Sequence, residues 1–258
     1  MSNDPSLWVA ALRGSQDRLA ARAANLDGAE IRSPSYCPGW NIAQVYSHLG
    51  SQSVMFNRLV EAGVSGGDPP GQDAWTPIWD AWNSRTPEAQ VEDCVTLNEE
   101  LVRRLEALDA DQMRAFRVAA FGMDLDLAGL LRLRLSEQAV HSWDIAVSFD
   151  PTALVSADAV TLLVDGLAPM VARVGKLRRP PLTLRVSTRD PERQFALVAD
   201  GVRLEPWADQ SAAGTLRLSA EALLRLVYGR LDSEHTPQVE LAAADIDLDD
   251  LRAMFPGV

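Results

Sequence analysis

The sequence predicts two regions of different class: an N-terminal all-α four-helix bundle over residues 1–150 and a smaller α+β C-terminal domain over 151–258. Two observations carry this prediction. Before Asp150, four long segments repeat apolar residues at the 3.6-residue period of amphipathic helices, with connections short enough to make an antiparallel bundle the economical arrangement. After Asp150-Pro151 the pattern shifts to short runs alternating with a period of two, mixed with helical stretches.

The first helix is expected from Asp4 or Ser6 to about Asn25, because Asp-Pro supplies a cap and a first-turn proline; Leu7, Ala11, Leu12 and Leu19 mark its apolar side. Two prolines and a glycine then forbid helix from Ser33 to Trp40. Asn41 caps the second helix, which runs to Gly63 and whose stripe includes Ile42, Val45, Leu49, Phe56 and Leu59. The glycines, prolines and aspartates of residues 63–75 predict a loop over a pocket. A short helical piece follows with Trp79 and Trp82, and Thr86-Pro87-Glu88 opens a long helix to Leu108. Met113 to Asp126 reads equally as short strands or loop, and the last long helix spans Leu127 to Phe149.

In the second region one helix is expected from Ser156 to Val174, broken by Lys176–Pro181. Strands are expected at 182–186, 195–198, 202–204, 215–218 and 239–241, with a hairpin at Ala199-Asp200-Gly201, and helices at 219–228 and 248–254.

Composition removes several function classes. At 258 residues, 47% apolar and 23% charged, the chain is of soluble globular type. Its net charge of −12 repels nucleic acid and anionic membranes. There is no basic N-terminal segment leading into a long apolar run, and no later run of about 18 apolar residues. A cytoplasmic protein with neither nucleic-acid nor membrane partners is expected, and no oligomeric state is specified. Cys37 and Cys94 lack zinc-knuckle spacing and are expected to be reduced, with Cys37 read as a small packed residue.

The chemistry concentrates between Leu127 and Phe149. Glu137 and His141 lie one turn apart, so their side chains leave one helix face roughly 6 Å from each other, a spacing that suits two ligands of one divalent metal. Leu130 and Leu133 precede them on a row expected to face the core, where a charge needs a partner. The alternative is an exposed surface pair. Of the three histidines, His48 sits on the second helix, and its imidazole would complete a two-histidine, one-carboxylate set with open coordination positions. Those donors suit Zn²⁺ and also Fe²⁺, Ni²⁺, Mn²⁺ or Co²⁺. Asp144 either orients His141 from behind or pairs with an arginine across the bundle, and His235, in an acidic turn, is expected to be exposed.

With C-P-G-W-N-I-A-Q-V-Y-S-H-L at 37–49, E-Q-A-V-H-S-W-D at 137–144 and L-L-R-L-V-Y-G-R at 223–230, nearly the whole chain resembles the mycothiol-dependent maleylpyruvate isomerase family. The resemblance implies a DinB-like up-down-down-up bundle followed by a sterol-carrier-like domain. It places a divalent metal, usually zinc, on His48, Glu137 and His141, and brings mycothiol as cosubstrate into a cleft for which Trp40, Trp75, Trp79, Trp82 and Trp143 are candidate linings. It also matches Gly229-Arg230 to the family's Gly-Arg motif, making Arg230 the candidate to bind a substrate or thiol anion. Two chemistries are implied: S-transfer to an electrophile, or cis-trans isomerisation of a maleylpyruvate-like substrate by transient thiol addition. A non-catalytic metal or small-ligand binding protein on the same scaffold is the alternative from a different class, and a bundle without metal is a third.

Overall fold

The computed structural model describes residues 4–177, 182–199 and 201–257. The described residues up to Ala153 and those from Leu154 onward form two compact units.

The first unit is helical. Its long helices are α1 (Pro5–Ala23), α2 (Ile42–Ser65), α4 (Pro87–Glu106) and α6 (Leu127–Ala146), with the short α3 (Thr76–Asn83) and α5 (Ala110–Ala115) between them. Each start is fixed by a side chain that accepts a hydrogen bond from an otherwise unpaired helical N–H: Asp4, Asn41, Thr86 and Asp126 cap the long helices. α2 packs on both α4 and α6, and α1 does the same, so each long helix has two long neighbours. Gly50 lets α3 lie close against α2, since any β-carbon there would collide with the Trp82 ring. The ambiguous segment resolves into α5 and a hairpin of β1 (Val118–Ala120) and β2 (Met123–Leu125). α5 was not anticipated; the box formed by Asp109 and Gln112 starts it.

The second unit carries a five-stranded sheet of order β5-β4-β3-β6-β7, with β3 (Thr183–Arg189), β4 (Arg193–Val198), β5 (Arg203–Pro206), β6 (Gly214–Ser219) and β7 (Glu240–Ala243). All pairings are antiparallel except β3 with β6. Leu184 and Val186 on β3 and Leu216 and Leu218 on β6 are buried at alternate positions, which is the period-two pattern of the sequence. The expected hairpin residue Asp200 lies outside the described residues, as do residues 178–181.

The single helix expected from Ser156 to Val174 is instead α7 (Ala157–Leu163), a 3-10 turn at Val164–Gly166 and α8 (Ala168–Val174). Pro169 is the cause: it has no N–H to donate to Asp165, and its ring would clash with that carbonyl in a continuous helix, so it starts a new helix instead. α9 (Ala220–Val227), capped by Ser219, is buried along its whole length, and α10 (Leu248–Met254) ends the unit. No helix among the described residues is long and apolar enough to cross a membrane.

Candidate functional site

The capping box of Asn41 and Gln44 sets the start of α2 and with it the direction of His48, two turns along. Asp126 does the same for α6, from which Glu137 and His141 project one turn apart. The two helices bring these three together. His48 Nε2 lies 3.1 Å from Glu137 Oε2, and His141 Nε2 lies 3.8 Å from the same oxygen. One donor atom from each falls within 4.8 Å of the others. Around a tetrahedral Zn²⁺ with bonds of about 2.0–2.1 Å, ligand atoms sit roughly 3.3 Å apart, so the donors suit a divalent cation in type, and the 3.1 and 3.8 Å separations to Glu137 bracket that spacing. The imidazoles meet edge to face with centroids 4.7 Å apart, and the Trp40 ring lies 5.4 Å from His48 and 6.4 Å from His141.

Asp144 is fully buried behind His141, with its Oδ2 at 2.8 Å from Nδ1. That contact favours the tautomer carrying its proton on Nδ1, which leaves the Nε2 lone pair free on the Glu137 side. The Cys37 thiol donates to the same Oδ2 at 3.1 Å, and its sulfur lies 3.7 Å from His141 Nδ1. Cys37, His141 and Asp144 thus form a second group of metal-capable atoms that shares His141. Its members already satisfy one another, whereas His48 lines a cavity of about 650 Å³ together with Trp40, Gln52, Met55 and Trp79.

Two residues at the site carried no sequence expectation. Gln52, one turn beyond His48, directs its amide nitrogen to within 2.6 Å of Glu137 Oε2 and 2.9 Å of His48 Nε2. That amide hydrogen-bonds the Glu137 carboxylate, which keeps lone pairs for a cation, and would turn from His48 Nε2 when that nitrogen holds one. Arg134, one turn before Glu137, is completely buried and locks the other end of that amide by donating to Gln52 Oε1 at 2.7 Å. Its second terminal nitrogen donates to Leu49 O, Ser53 Oγ and Asn98 Oδ1. The available signal was an arginine three residues before Glu137 in a leucine-rich row and an amide four residues after His48.

Charges at the site follow from burial and contact. Burial would raise the Glu137 carboxyl, but the hydrogen bond from His48, the charges of both histidines and the Gln52 amide outweigh it and bring it down to about 2. Burial pushes the His48 imidazole below its ordinary value, with Glu137 opposing. Arg134 is drawn down by burial to about 10, which leaves it cationic at neutral pH.

The row expected to face the core is only partly buried: Leu130 is sealed, while Leu133, Glu137 and His141 are half-buried. Trp40, Trp75 and Trp79 line cavities of the helical unit, whereas Trp82 and Trp143 belong to its core. Arg230 lies in the other unit, largely buried, and donates to the Tyr228 carbonyl at 2.7 Å. His235 is half-buried rather than exposed, since its ring lies 2.9 Å from Asp232 and its carbonyl accepts from Arg225.

Residues 12–146, just over half of the chain, match the family model described as the mycothiol maleylpyruvate isomerase N-terminal domain. The chain belongs to that family. The family's name is that of an isomerase that works with mycothiol. The fold extends the likeness over both regions: the crystal structure of the mycothiol-dependent maleylpyruvate isomerase is similar with a TM-score of 0.68 at 14% identity, over 95% of each chain. A histidine-to-alanine mutant of that isomerase is similar with a TM-score of 0.66 at 15% identity, again over 95% of each chain. No curated protein matches the chain by sequence.

Proposed function

We propose that this family member is a metal-dependent enzyme that uses mycothiol as cosubstrate, with His48, Glu137 and His141 holding a divalent cation, most simply Zn²⁺. The observation that carries the reading is the convergence of two imidazole nitrogens and a carboxylate oxygen within 4.8 Å beside an open cavity. A cation bound there supplies Lewis acidity that stabilises a thiolate at neutral pH. The chain's own residues prepare the place. Asp144 holds His141 in the binding tautomer, Glu137 stays ionised, Gln52 donates to it, and Trp40 covers the two imidazoles. Isomerisation of a maleylpyruvate-like substrate is the leading reaction, in line with the family's name. S-transfer to an electrophile is the second reading, favoured by a large cavity without cationic side chains that shares a wall with the one His48 lines.

The same reading makes the helical region, residues 1–150, a DinB-like up-down-down-up four-helix bundle and residues 151–258 a sterol-carrier-like domain. Arg230 would offer its guanidinium to a substrate or thiol anion, and the enzyme would act in the cytoplasm. The test is metal analysis of protein purified without added metal or a nickel-binding tag, beside His48→Ala, Glu137→Ala and His141→Ala, followed by incubation with mycothiol and maleylpyruvate. Near-stoichiometric metal in the parent, lost in all three variants, with rearrangement and no net thiol consumption, is expected. Thiol consumption with an electrophile would assign the transferase, metal without turnover a binding protein, and no metal in the parent would overturn the reading.

A further inference from the structure

A second cavity of about 830 Å³ opens beside the one that His48 lines. Met55 and Trp79 line both, and Met55 follows His48 by two turns on the same side of α2. Leu59 and Trp75 form part of its wall, the Pro69-Pro70-Gly71 loop one rim, and the tip of the β1–β2 hairpin the other. A volume of this order accommodates a drug-sized molecule.

Three features define what it can hold. Half of the exposed large apolar side chains among the described residues, Trp40, Trp79, Phe121 and Met123, line one or other of these two cavities. Neither wall contains a lysine or arginine, and the larger one has Asp124 as its single ionisable group, so a carboxylate finds no cationic partner there. The hairpin tip also places an aromatic residue where the backbone disfavours one: Phe121 and Gly122 both take left-handed φ, 55° and 74°, in a two-residue turn that favours Asn, Asp or Gly at its first position. Phe121 is half exposed: its ring pairs with that of Phe56 at 6.3 Å, and it also lines the cavity.

We propose that this cavity is a substrate pocket for an uncharged alkyl or aryl body, whose reactive end reaches the His48 cavity past Met55 and Trp79. This rests on the S-transfer reading of the thiol enzyme, not on isomerisation of a dicarboxylate, and deepens it: the electrophile is larger and more apolar than a maleylpyruvate-like substrate.

The test uses metal-loaded full-length protein and two probes, neutral N-phenyl-1-naphthylamine and anionic 1-anilinonaphthalene-8-sulfonate, read by fluorescence. The neutral probe is expected to bind more tightly than the anionic one. Phe121→Ser combined with Met123→Ser should weaken it about tenfold, because apolar contact with the probe is returned to water, while metal content and the melting midpoint stay at parent values. In the parent, lengthening a 2-alkenal substrate by one methylene should lower KM about fourfold until the pocket is full, and the double variant should flatten that series. Neutral-probe binding that the double variant leaves unchanged, or preferential binding to phosphatidylcholine vesicles, overturns the proposal even where thiol turnover is intact. Variant-sensitive probe binding in a protein that holds no metal keeps the pocket and removes the thiol-enzyme reading.

Discussion

Each unit of the molecule buries an arginine, and the two are treated in opposite ways. In the C-terminal unit Arg225 meets Glu221 one turn earlier on α9 through two hydrogen bonds of 2.6 and 3.2 Å, and gives its remaining nitrogen to the carbonyls of Arg230 and His235. Glu221 also accepts the Val155 N–H, so the pair ties three segments of that unit together. In the helical unit Arg134 is more deeply buried, yet its acceptors are all neutral, and its Nε has no partner. Its charge is left uncompensated at contact distance and acts on Glu137 through space. The difference separates a charge that secures a fold from one that organises a site. By holding the Gln52 carbonyl oxygen, Arg134 obliges the Gln52 amide to face Glu137 and His48.

The comparison can be broken most sharply at Glu221. Glu221→Gln strands a buried guanidinium, and removing one partner of a buried pair costs about 3–5 kcal/mol. Chemical denaturation of the full chain should show that loss, whereas Glu221→Leu combined with Arg225→Met should recover most of it. A double variant no better than the single one would mean that the carbonyl contacts of Arg225, and not the ion pair, secure α9.

Arg134 should behave differently. Arg134→Met keeps much of the volume and removes the charge, so the leading effect is expected on the metal: an affinity about 10- to 100-fold weaker, measured by competition with a chromogenic chelator. Gln52→Leu should reproduce that weakening with a smaller change in stability, because it removes the link while Arg134 keeps Ser53 and Asn98. Unaltered metal affinity in both variants, with stability alone reduced, would reclassify Arg134 as a second structural arginine and erase the contrast with Arg225.

Much of this arrangement was legible along the chain, and the illegible part has a common cause. Asp4, Asn41, Thr86 and Ser219 announce their helices because a cap acts on N–H groups two or three residues away. The Glu137–His141 spacing is likewise a property of one helix. Gln52, Asn98 and Arg134 meet only when α2, α4 and α6 assemble, and a sequence displays no period for contacts of 36 and 82 residues. For the same reason the half-buried state of Leu133 could not be read from its row, since burial on one helix is decided by the elements that pack against it. The break between α7 and α8 was of the other kind: Pro169 stood in plain view, and its effect on the preceding turn is local.

A third arginine sets the lower end of the scale. Arg13 on α1 joins α4 through Glu99 at 2.5 Å and Glu106 at 2.9 Å, all partly exposed to solvent. Hydrogen bonding to Arg13 pulls both carboxyls below the ordinary 4.5. Carboxylates held low in the folded state add stability that is complete above about pH 4.5 and disappears as pH falls through their folded values, so the contribution is lost on acidification. Solvent screening at these exposures limits it to about 0.5–1 kcal/mol. Arg13→Met should therefore cost about that much at pH 7, less at pH 3, and should diminish at high salt, as followed by denaturation midpoints across that range. A loss at neutral pH equal to that of Glu221→Gln would show that the helical unit depends on a surface charge as heavily as the C-terminal unit depends on a buried one. The contrast between the two units would then lie in where each keeps its structural arginine, and Arg134 would be left free for the site.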